Sequence, residues 1–247
     1  MKRGAVLWAL LALLLTWQLL AMLINQPVLP PVTQVAQAFV REVQQGEIVL
    51  HFLASLWRVV ASMLLSVALA APAGLALGQM PRVNRFFSPL IYWLYPIPKV
   101  VLVPVVLLLL GVGDLAKIVI IFLILFFQIL VLVRDQAAAL RPELILSVRS
   151  LGAGRRALFR YVYLPASLPG ILTALRQSVG TAVAVLYVAE LFATQYGLGY
   201  YIYLNGSTLF NYPAMYAGIV VMSVLGMLLY FSVDILEKWW CPWKREG

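Results

Sequence analysis

Long apolar segments separated by shorter polar ones run through the whole of the 247-residue chain. An α-helix rises about 1.5 Å per residue, so roughly 20 apolar residues are needed to cross a hydrocarbon core about 30 Å thick. Six segments are long enough, and they are 5–24, 52–79, 86–110, 115–133, 172–193 and 214–233. Because a helix bonds its own backbone inside lipid, the pattern predicts an all-α membrane protein with about six transmembrane helices in a single domain, 1–247.

Prolines mark where two of these helices end or bend. The first apolar segment, Ala5 to Ile24, carries no charge and is followed by NQPVLPP, whose prolines cannot continue a helix. The segment is longer than the core of a signal peptide, about 7 to 15 residues, and no clear small-residue cleavage site follows, so a retained helix is favoured over a cleaved signal peptide. In the third segment, three prolines surround Lys99 and predict a break that exposes backbone carbonyls inside the protein.

Composition and charge support the same class of protein. Apolar residues make up 64% of the chain, compared with about 45 to 50% in soluble domains, and charged residues only 11%. Lysine and arginine in short loops are retained on the cytoplasmic side, and their distribution predicts that both termini are cytoplasmic. The net charge of +9 then reflects a basic surface against anionic lipid, and no nucleic-acid partner is needed to explain it. Neither His51 nor the single cysteine, Cys241, is assigned a role.

An amphipathic segment lies between the first two spans. Apolar residues recur at helical spacing from Val32 to Val43, while glutamines, Arg41 and Glu42 occupy the other face. This pattern predicts a helix along the outer membrane surface. The helix either covers the ends of other helices or docks an external partner, and the sequence leaves both interpretations open.

A cytoplasmic segment, 134–169, is far longer than a turn between two membrane helices requires. Its first part favours a helix that ends near Gly152. From Arg155 the sequence RRALFRY alternates basic with apolar or aromatic side chains, which predicts a second short helix. Pro165 and Pro169 are expected to prevent uninterrupted continuation into the next span. Physical chemistry alone leaves two interpretations, a loop lying on lipid headgroups and a docking element.

Several polar side chains fall inside the predicted spans, where burying an ionisable group costs about 2.5 kcal/mol or more. Such groups normally face a cavity or a protein partner. The candidates for a translocation pathway are Arg58, Ser62, Lys99, Tyr187 and Glu190. Within the spans three basic residues, with Arg176 as the third, stand against one acidic residue, which favours a small anion as cargo.

These candidates also have structural interpretations. Arg58 and Ser62 share a helix face with two further serines, and packing through small residues explains that face equally well. Arg176 lies close enough to the cytoplasmic end of its span to extend towards the headgroups. Glu190 either forms an external gate or braces a neighbouring helix. For Lys99, a purely structural kink remains an alternative.

The segment LSVRSLGAGRRALFRYVYLPASLPG resembles the cytoplasmic "EAA loop" of permease subunits from binding-protein-dependent ABC importers. The motif's glycine, aliphatic residue, leucine and proline correspond to Gly152, Val162, Leu164 and Pro165. The sequence LSV stands where the motif has Glu-Ala-Ala. Three further segments, LPPVTQVAQAF, SPLIYWLYPIPKVVLVPVVLLLLGVGDLAKI and YVAELFATQYGLGYYI, resemble the nitrate, taurine and sulfonate branch of these importers.

The resemblance implies the type I importer permease fold, also called MetI-like, a multi-pass position in the bacterial inner (cytoplasmic) membrane, and three kinds of protein partner. These partners are a cytoplasmic ABC ATPase dimer, a second permease copy that forms a homodimer, and a periplasmic substrate-binding protein. The coupling helix in the EAA loop would contact the ATPase. The residues it assigns to ATPase coupling are Arg149, Gly152, Arg155, Arg156, Phe159, Arg160, Val162, Leu164 and Pro165.

ATP chemistry is expected to reside outside this chain. No lysine is followed by serine or threonine, so the chain lacks the loop Gly-x4-Gly-Lys-Ser/Thr that cradles phosphates. The chain is therefore predicted to be a transport subunit with no enzymatic activity and no cofactor of its own, with ATP and Mg²⁺ bound by the separate ATPase.

Transport of a small nutrient anion similar to nitrate, taurine or a sulfonate is the favoured function. One alternative is an ABC importer of a neutral or cationic nutrient, such as a vitamin or pyrimidine precursor. A second alternative is an ATP-independent secondary transporter, which would not need the long cytoplasmic segment.

Overall fold

A computed structural model describes residues 3–192 and 194–245. Within that part of the chain the regular structure is helical throughout. The α-helices are α1 (Arg3–Ile24), α2 (Val32–Gln45), α3 (Glu47–Gln79), α4 (Pro81–Leu94), α5 (Val103–Leu110), α6 (Asp114–Ala138), α7 (Pro142–Ser150), α8 (Arg155–Leu158), α9 (Leu164–Glu190), α10 (Leu198–Tyr203) and α11 (Tyr212–Trp240). Shorter 3₁₀ turns cover Lys99–Leu102 and Pro242–Arg245, and π-helical turns cover Phe159–Tyr163 and Leu204–Thr208.

Among the described residues, five helical segments are long and apolar enough to cross a membrane, with a sixth crossing if one bent pair counts as a single span. The five are Leu7–Ile24, Glu47–Gln79, Asp114–Ala138, Arg155–Glu190 and Tyr212–Trp240. The bent pair joins Pro81–Leu94 to Lys99–Leu110 at an angle of 75°. Several helices extend beyond the predicted apolar segments because their polar ends continue the helix past the hydrocarbon core.

The direction of α3 and α6 shows that the bent pair is one crossing. The hydroxyls of Ser62 and Ser66 on α3 donate to carbonyls one turn back on the same helix and also lie 3.2 and 3.4 Å from the carbonyl oxygens of Ile118 and Phe122 on α6. Each partner on α6 lies 56 residues further along the chain, so the two helices run in the same direction. Two parallel spans require the chain to return across the membrane between them, and only α4, the break and α5 lie there. The prediction of an all-α membrane protein with about six spans is therefore confirmed.

The α3–α6 pair packs closely because α3 carries glycine where the two backbones meet. A Cβ atom placed on Gly74 would lie 2.9 Å from the carbonyl oxygen of Leu130. A Cβ atom on Gly78 would lie 2.6 Å from both the carbonyl oxygen of Arg134 and the Cβ atom of Ala137. Small residues allow membrane helices to approach in this way, since there is no hydrophobic driving force between helices in lipid.

Contacts divide the chain into two compact units, Met1–Ser55 with Glu190–Val224 and Leu56–Ala189 with Leu225–Gly247. In the first unit, the indole N–H of Trp17 donates to the carbonyl of Pro30 at 3.1 Å, and the side chain of Gln18 accepts from the N–H of Val32 at 2.9 Å. These bonds join α1 to the start of α2. In the second unit, α3 and α6 provide much of the buried core.

Helix α2 has the predicted bounds, and the structure shows which of its sides packs on the protein. Glu42 is only 7% exposed and faces the protein, whereas the apolar side chains of Phe39, Val40 and Val43 are exposed. Burial, together with the nearby Glu42 carboxylate, raises the pKa of Tyr201 above its ordinary value. The apolar stripe of an interfacial helix faces lipid, so its other side packs on the protein.

Pro165 and Pro169 do not interrupt the helix before the fifth span, so that prediction is wrong. The segment Arg155–Glu190 is continuously helical, with Pro165 in the first turn of α9 and Pro169 inside it. A proline ring clashes with the carbonyl four residues earlier, and for Pro165 that carbonyl belongs to Tyr161. Tyr161 lies in the π-helical turn Phe159–Tyr163, whose wider geometry accommodates the ring.

Candidate functional site

The predicted coupling segment forms two short helices joined by a glycine turn. Helix α7 ends at Ser150, and the backbone N–H of Gly152 bonds to the carbonyl of Arg149 at 3.0 Å. Gly152 has φ +83°, in the left-handed region where an L side chain is strained. The motif glycine is therefore required by the backbone turn that separates α7 from α8.

The arginines of α8 and the π-helical turn line a surface depression with a volume of about 470 Å³. Arg155, Arg156 and Arg160 are all exposed there, and the guanidinium of Arg160 lies 5.8 Å from the ring of Tyr161. The surface therefore presents three positive charges in a short stretch of chain. Such a surface suits an acidic partner.

An apolar groove of about 260 Å³ adjoins this basic surface, and Tyr161 belongs to both. Among the predicted coupling residues, Val162 and Pro165 line the groove, whereas Phe159 and Leu164 are exposed side chains outside its lining. The lining also contains residues that the sequence analysis missed, namely Leu144, Val148, Ala166 and Trp243. The tail sequence WWCPWKREG predicts an interfacial segment but gives no sign that Trp243 lies beside the coupling segment.

Arg58 and Ser62, two candidates for the pathway, take part in helix packing. Arg58 is 4% exposed, and its Nε and Nη2 atoms lie 2.9 and 2.8 Å from a carboxylate oxygen of Asp114. Ser62 is fully buried and donates to the carbonyl of Ile118. Both contacts join α3 to α6. A role in translocation stays a prediction for these two residues.

Lys99 lies at the break between α4 and α5, which is where the proline pattern predicts one. Its ammonium group donates to the carbonyls of Leu94, Tyr95 and Ile97 at 2.9, 3.2 and 3.3 Å. The same ammonium lies 4.5 Å from the centre of the Phe127 ring. Lys99 also lines a cavity of about 380 Å³. Tyr187, another predicted pathway residue, is partly buried on α9 and is not part of this lining.

Glu190 belongs to the other unit, where it helps to cap the start of α10. It is fully buried, and its carboxylate accepts hydrogen bonds from Ser55 Oγ, at 2.8 and 2.9 Å, and from the backbone N–H of Gly199, at 2.9 Å. Ser55 Oγ in turn accepts from the N–H of Leu198 at 2.8 Å. His51 Nδ1 accepts from the N–H of Gly197 at 2.9 Å.

His51, Ser55 and Glu190, which we call the α10 cap, thus satisfy three consecutive N–H groups that a helix start leaves without intrahelical partners. The sequence alone assigns no role to His51. A signal was present, since His51 and Ser55 are four residues apart and share a helix face. Their partners lie more than 140 residues away, which no local pattern reveals.

Comparison with known proteins identifies the family of this chain. A family model described as "binding-protein-dependent transport system inner membrane component" matches residues 66–240. This chain belongs to that family. It is the permease subunit of a binding-protein-dependent ABC importer, a multi-pass membrane protein and a transport component rather than an enzyme.

Three curated relatives resemble the permease over most of its length. The taurine transport system permease protein TauC of Escherichia coli is 30% identical over 96% of this chain and 88% of its own length. The formylaminopyrimidine transport permease protein ThiX of Halalkalibacterium halodurans is 30% identical over 96% of this chain and 94% of its own. The putative aliphatic sulfonates transport permease protein SsuC of Bacillus subtilis is 28% identical over 93% of this chain and 84% of its own. The predicted resemblance to the taurine and sulfonate branch is confirmed.

A solved structure shares the fold of the permease. An inward-facing conformation of the methionine ABC transporter MetNI superposes with a TM-score of 0.69 at 22% sequence identity. The alignment covers 81% of this chain and 98% of the chain in that structure. The predicted type I importer permease fold is confirmed.

Arg176 of the permease is paired within the protein, and its extension towards the headgroups stays a prediction. Its Nη2 atom contacts the carboxylates of Asp234, at 3.4 Å, and of Glu237. Lys238 pairs with Asp234 at 2.6 Å. Asp234 and Glu237, at the end of the last apolar segment, are visible in the sequence as candidate partners for a basic residue. Only the packing of α9 against α11 brings them to Arg176.

Proposed function

We propose that the permease imports a small anion with a sulfonate-like head group. The observation that carries this proposal is Lys99, a cation lining a cavity at the break of the third span. An ionisable residue at such a position is costly in lipid and normally serves a cavity or a partner. Two of the three relatives described above carry taurine or aliphatic sulfonates in their names, and taurine is itself an aminosulfonate.

A neutral or cationic pyrimidine precursor is the second candidate cargo. The observation that favours it is the similarity to ThiX, which is 30% identical over 96% of this chain. The charge of Lys99 is the feature that separates the two candidates. A cationic cargo would be repelled by that ammonium group, whereas an anionic cargo would be attracted.

ATP-driven transport requires the permease to transmit force from a separate ATPase dimer. We assign ATP and Mg²⁺ to that partner, with the basic surface and the adjoining groove of the coupling segment as the contact. The residues that carry this assignment are those predicted from the sequence, Arg149, Gly152, Arg155, Arg156, Phe159, Arg160, Val162, Leu164 and Pro165, with Trp243 added. The absence of the motif glutamate leaves the arginines as the charged part of the contact.

The pathway itself is assigned to a homodimer of two single-domain permeases, each comprising residues 1–247. A periplasmic binding protein delivers the cargo to the outer face. The complex lies in the inner membrane, and both termini of the permease face the cytoplasm. Positive charge in the loops supports this orientation. Arg58, Ser62, Lys99, Tyr187 and Glu190 remain the residues proposed for the pathway or its gates.

Cargo-stimulated ATPase activity tests the function. The permease is reconstituted with its ATPase and binding protein, and taurine, an alkanesulfonate, nitrate and a formylaminopyrimidine are compared. We expect a sulfonate to stimulate hydrolysis and to accumulate inside vesicles. Stimulation by the pyrimidine alone would replace the anion proposal with the second candidate, and uptake without ATP would overturn the importer mechanism.

Charge reversal of the basic surface is expected to weaken ATPase binding. In the triple variant Arg155→Glu, Arg156→Glu, Arg160→Glu, each attraction to an acidic partner becomes a repulsion, so the affinity should fall by about tenfold or more. The measurement is the amount of ATPase that copurifies with the permease across a series of salt concentrations.

The matched control reverses Arg82 and Arg85, two exposed arginines on α4. This double variant should retain the ATPase at the wild-type level. Equal retention of the ATPase by the triple variant and the wild-type protein would show that the coupling segment does not dock through its charges.

A further inference from the structure

At the break in the third span, backbone carbonyls lack the hydrogen bonds that an intact helix would give them. Pro96 and Pro98 lie between α4 and the 3₁₀ turn, and neither can donate a backbone hydrogen bond. The two halves of the span meet at 75°, and the segment between them borders the cavity of about 380 Å³. Irregular backbone at membrane depth is tolerated where it is buried in protein or lines a cavity, and discontinuous helices commonly form the binding sites of transporters.

Lys99 differs from the other lysine that caps carbonyls in the same unit. Lys117 donates to the carbonyls of Val112 and Gly113 and is 1% exposed, so its charge is sealed inside the protein. Lys99 also donates to backbone carbonyls, but it is only partly buried and its side chain forms part of the cavity wall. A lysine whose role is to cap backbone carbonyls can be fully buried, as Lys117 is. The position of Lys99 instead leaves its positive charge available to a molecule in the cavity.

The rest of the lining suits an anion with a short apolar stem. None of the described residues that line the cavity is acidic, so no carboxylate cancels the charge of Lys99 or repels an anion. The amide of Gln128 can donate further hydrogen bonds to oxygen atoms. The apolar side chains of Ile97, Phe127 and Val185 provide surface for a carbon chain.

We propose that this cavity is the point in the membrane at which the permease binds the sulfonate group of its cargo, with the charge of Lys99 attracting the anion and Gln128 as a hydrogen-bond donor. This inference rests on the proposed function, because it takes the cargo to be a small anion. In this arrangement the carbonyls of Leu94, Tyr95 and Ile97 hold the ammonium in place before the anion arrives.

The first experiment measures the charge preference of the cavity without any transport. Gln128→Cys places a thiol in the cavity of the permease–ATPase complex. The anionic reagent 2-sulfonatoethyl methanethiosulfonate is then compared with its cationic trimethylammonioethyl counterpart. With Lys99 present, we expect the anionic reagent to react about tenfold faster relative to the cationic one than it does in Lys99→Met, as attraction to one nearby charge predicts.

The same rate ratio in the Lys99→Arg background should remain high, because the charge is retained. An anionic-to-cationic rate ratio with Lys99 present that is no higher than the ratio for a small thiol free in solution overturns the proposal, even if the Lys99→Met variant fails to fold. Wild-type protein, whose only cysteine is the buried Cys241, gives the background of labelling.

The second experiment measures the maximal rate of taurine import at saturating loaded binding protein. Lys99→Met is expected to lower this rate about tenfold, with Lys99→Arg restoring most of it. Lys117→Met is the matched control for the loss of a buried lysine that caps carbonyls and does not line the cavity. It should reduce the amount of folded complex without changing the rate per complex.

The two proposals fail in different ways. If wild-type permease does not import taurine or another sulfonate, the proposed function fails while the labelling ratio still reports the charge preference of the cavity. If wild-type permease imports taurine, and Lys99→Met changes neither the labelling ratio nor the rate per complex, the site assignment fails while the function stands.

Discussion

Replacing Glu190 with alanine is expected to destabilise the permease more than any other single side-chain truncation considered above. The carboxylate is fully buried and accepts from Ser55 Oγ and from the N–H of Gly199. Removing it leaves buried donors without an acceptor, and each such group costs about 1 to 3 kcal/mol. We expect a lower midpoint of thermal unfolding in detergent and faster proteolysis between α9 and α10.

Two variants define this effect. Glu190→Gln keeps one acceptor oxygen of the same shape, so its loss of stability should be smaller than that of Glu190→Ala. Glu143→Ala removes an exposed carboxylate from α7 and should leave the unfolding midpoint unchanged. An unfolding midpoint for Glu190→Ala equal to that of the wild-type protein would show that the α10 cap does not stabilise the fold.

Introducing leucine at Gly78 should separate α3 from α6 and prevent accumulation of folded permease. Even the first atom of the new side chain would lie 2.6 Å from the Arg134 carbonyl oxygen and from Ala137 Cβ. Backbone atoms on a packed helix cannot rotate away, and overpacking costs typically about 1 to 3 kcal/mol, with larger values for larger side chains. The yield of monodisperse protein in detergent measures the outcome.

Gly180→Ala is the control for a glycine within a membrane helix. A Cβ atom at Gly180 meets nothing within 4 Å, and alanine favours the helix over glycine by up to about 1 kcal/mol. This variant should fold at least as well as the wild-type protein. Normal yield and stability of Gly78→Leu would contradict the close packing of α3 against α6.

Features that repeat along the chain, or that depend on near neighbours, could be predicted from sequence. The spans follow from runs of apolar residues, and the break at Lys99 follows from adjacent prolines. The turn at Gly152 is of the same kind, since a left-handed residue after a short helix selects glycine. Each of these features depends on a short stretch of consecutive residues, since about 20 are enough to cross a bilayer.

The sequence did not reveal features in which the partner of a side chain lies on a distant segment. Glu42 belongs to a helix whose apolar stripe is plain, but the sequence did not say which side faces protein and which faces lipid. Both kinds of surroundings accept apolar side chains, so the pattern alone cannot distinguish them. The ion pair of Arg176 with Asp234 likewise depends on the packing of two spans, which no local pattern shows.

Sequence alone was enough to predict that this chain crosses a membrane as helices, that the third span breaks at Lys99, and which cytoplasmic segment carries the importer motif. These properties are local, because the thickness of the bilayer and the chemistry of proline and glycine act on neighbouring residues. The helix packing was needed to show that α3 and α6 run parallel, that His51, Ser55 and Glu190 cap α10, and that Lys99 lines a cavity. Those features depend on how helices distant in sequence pack, and in lipid that packing is set by close van der Waals contact and buried hydrogen bonds between particular side chains.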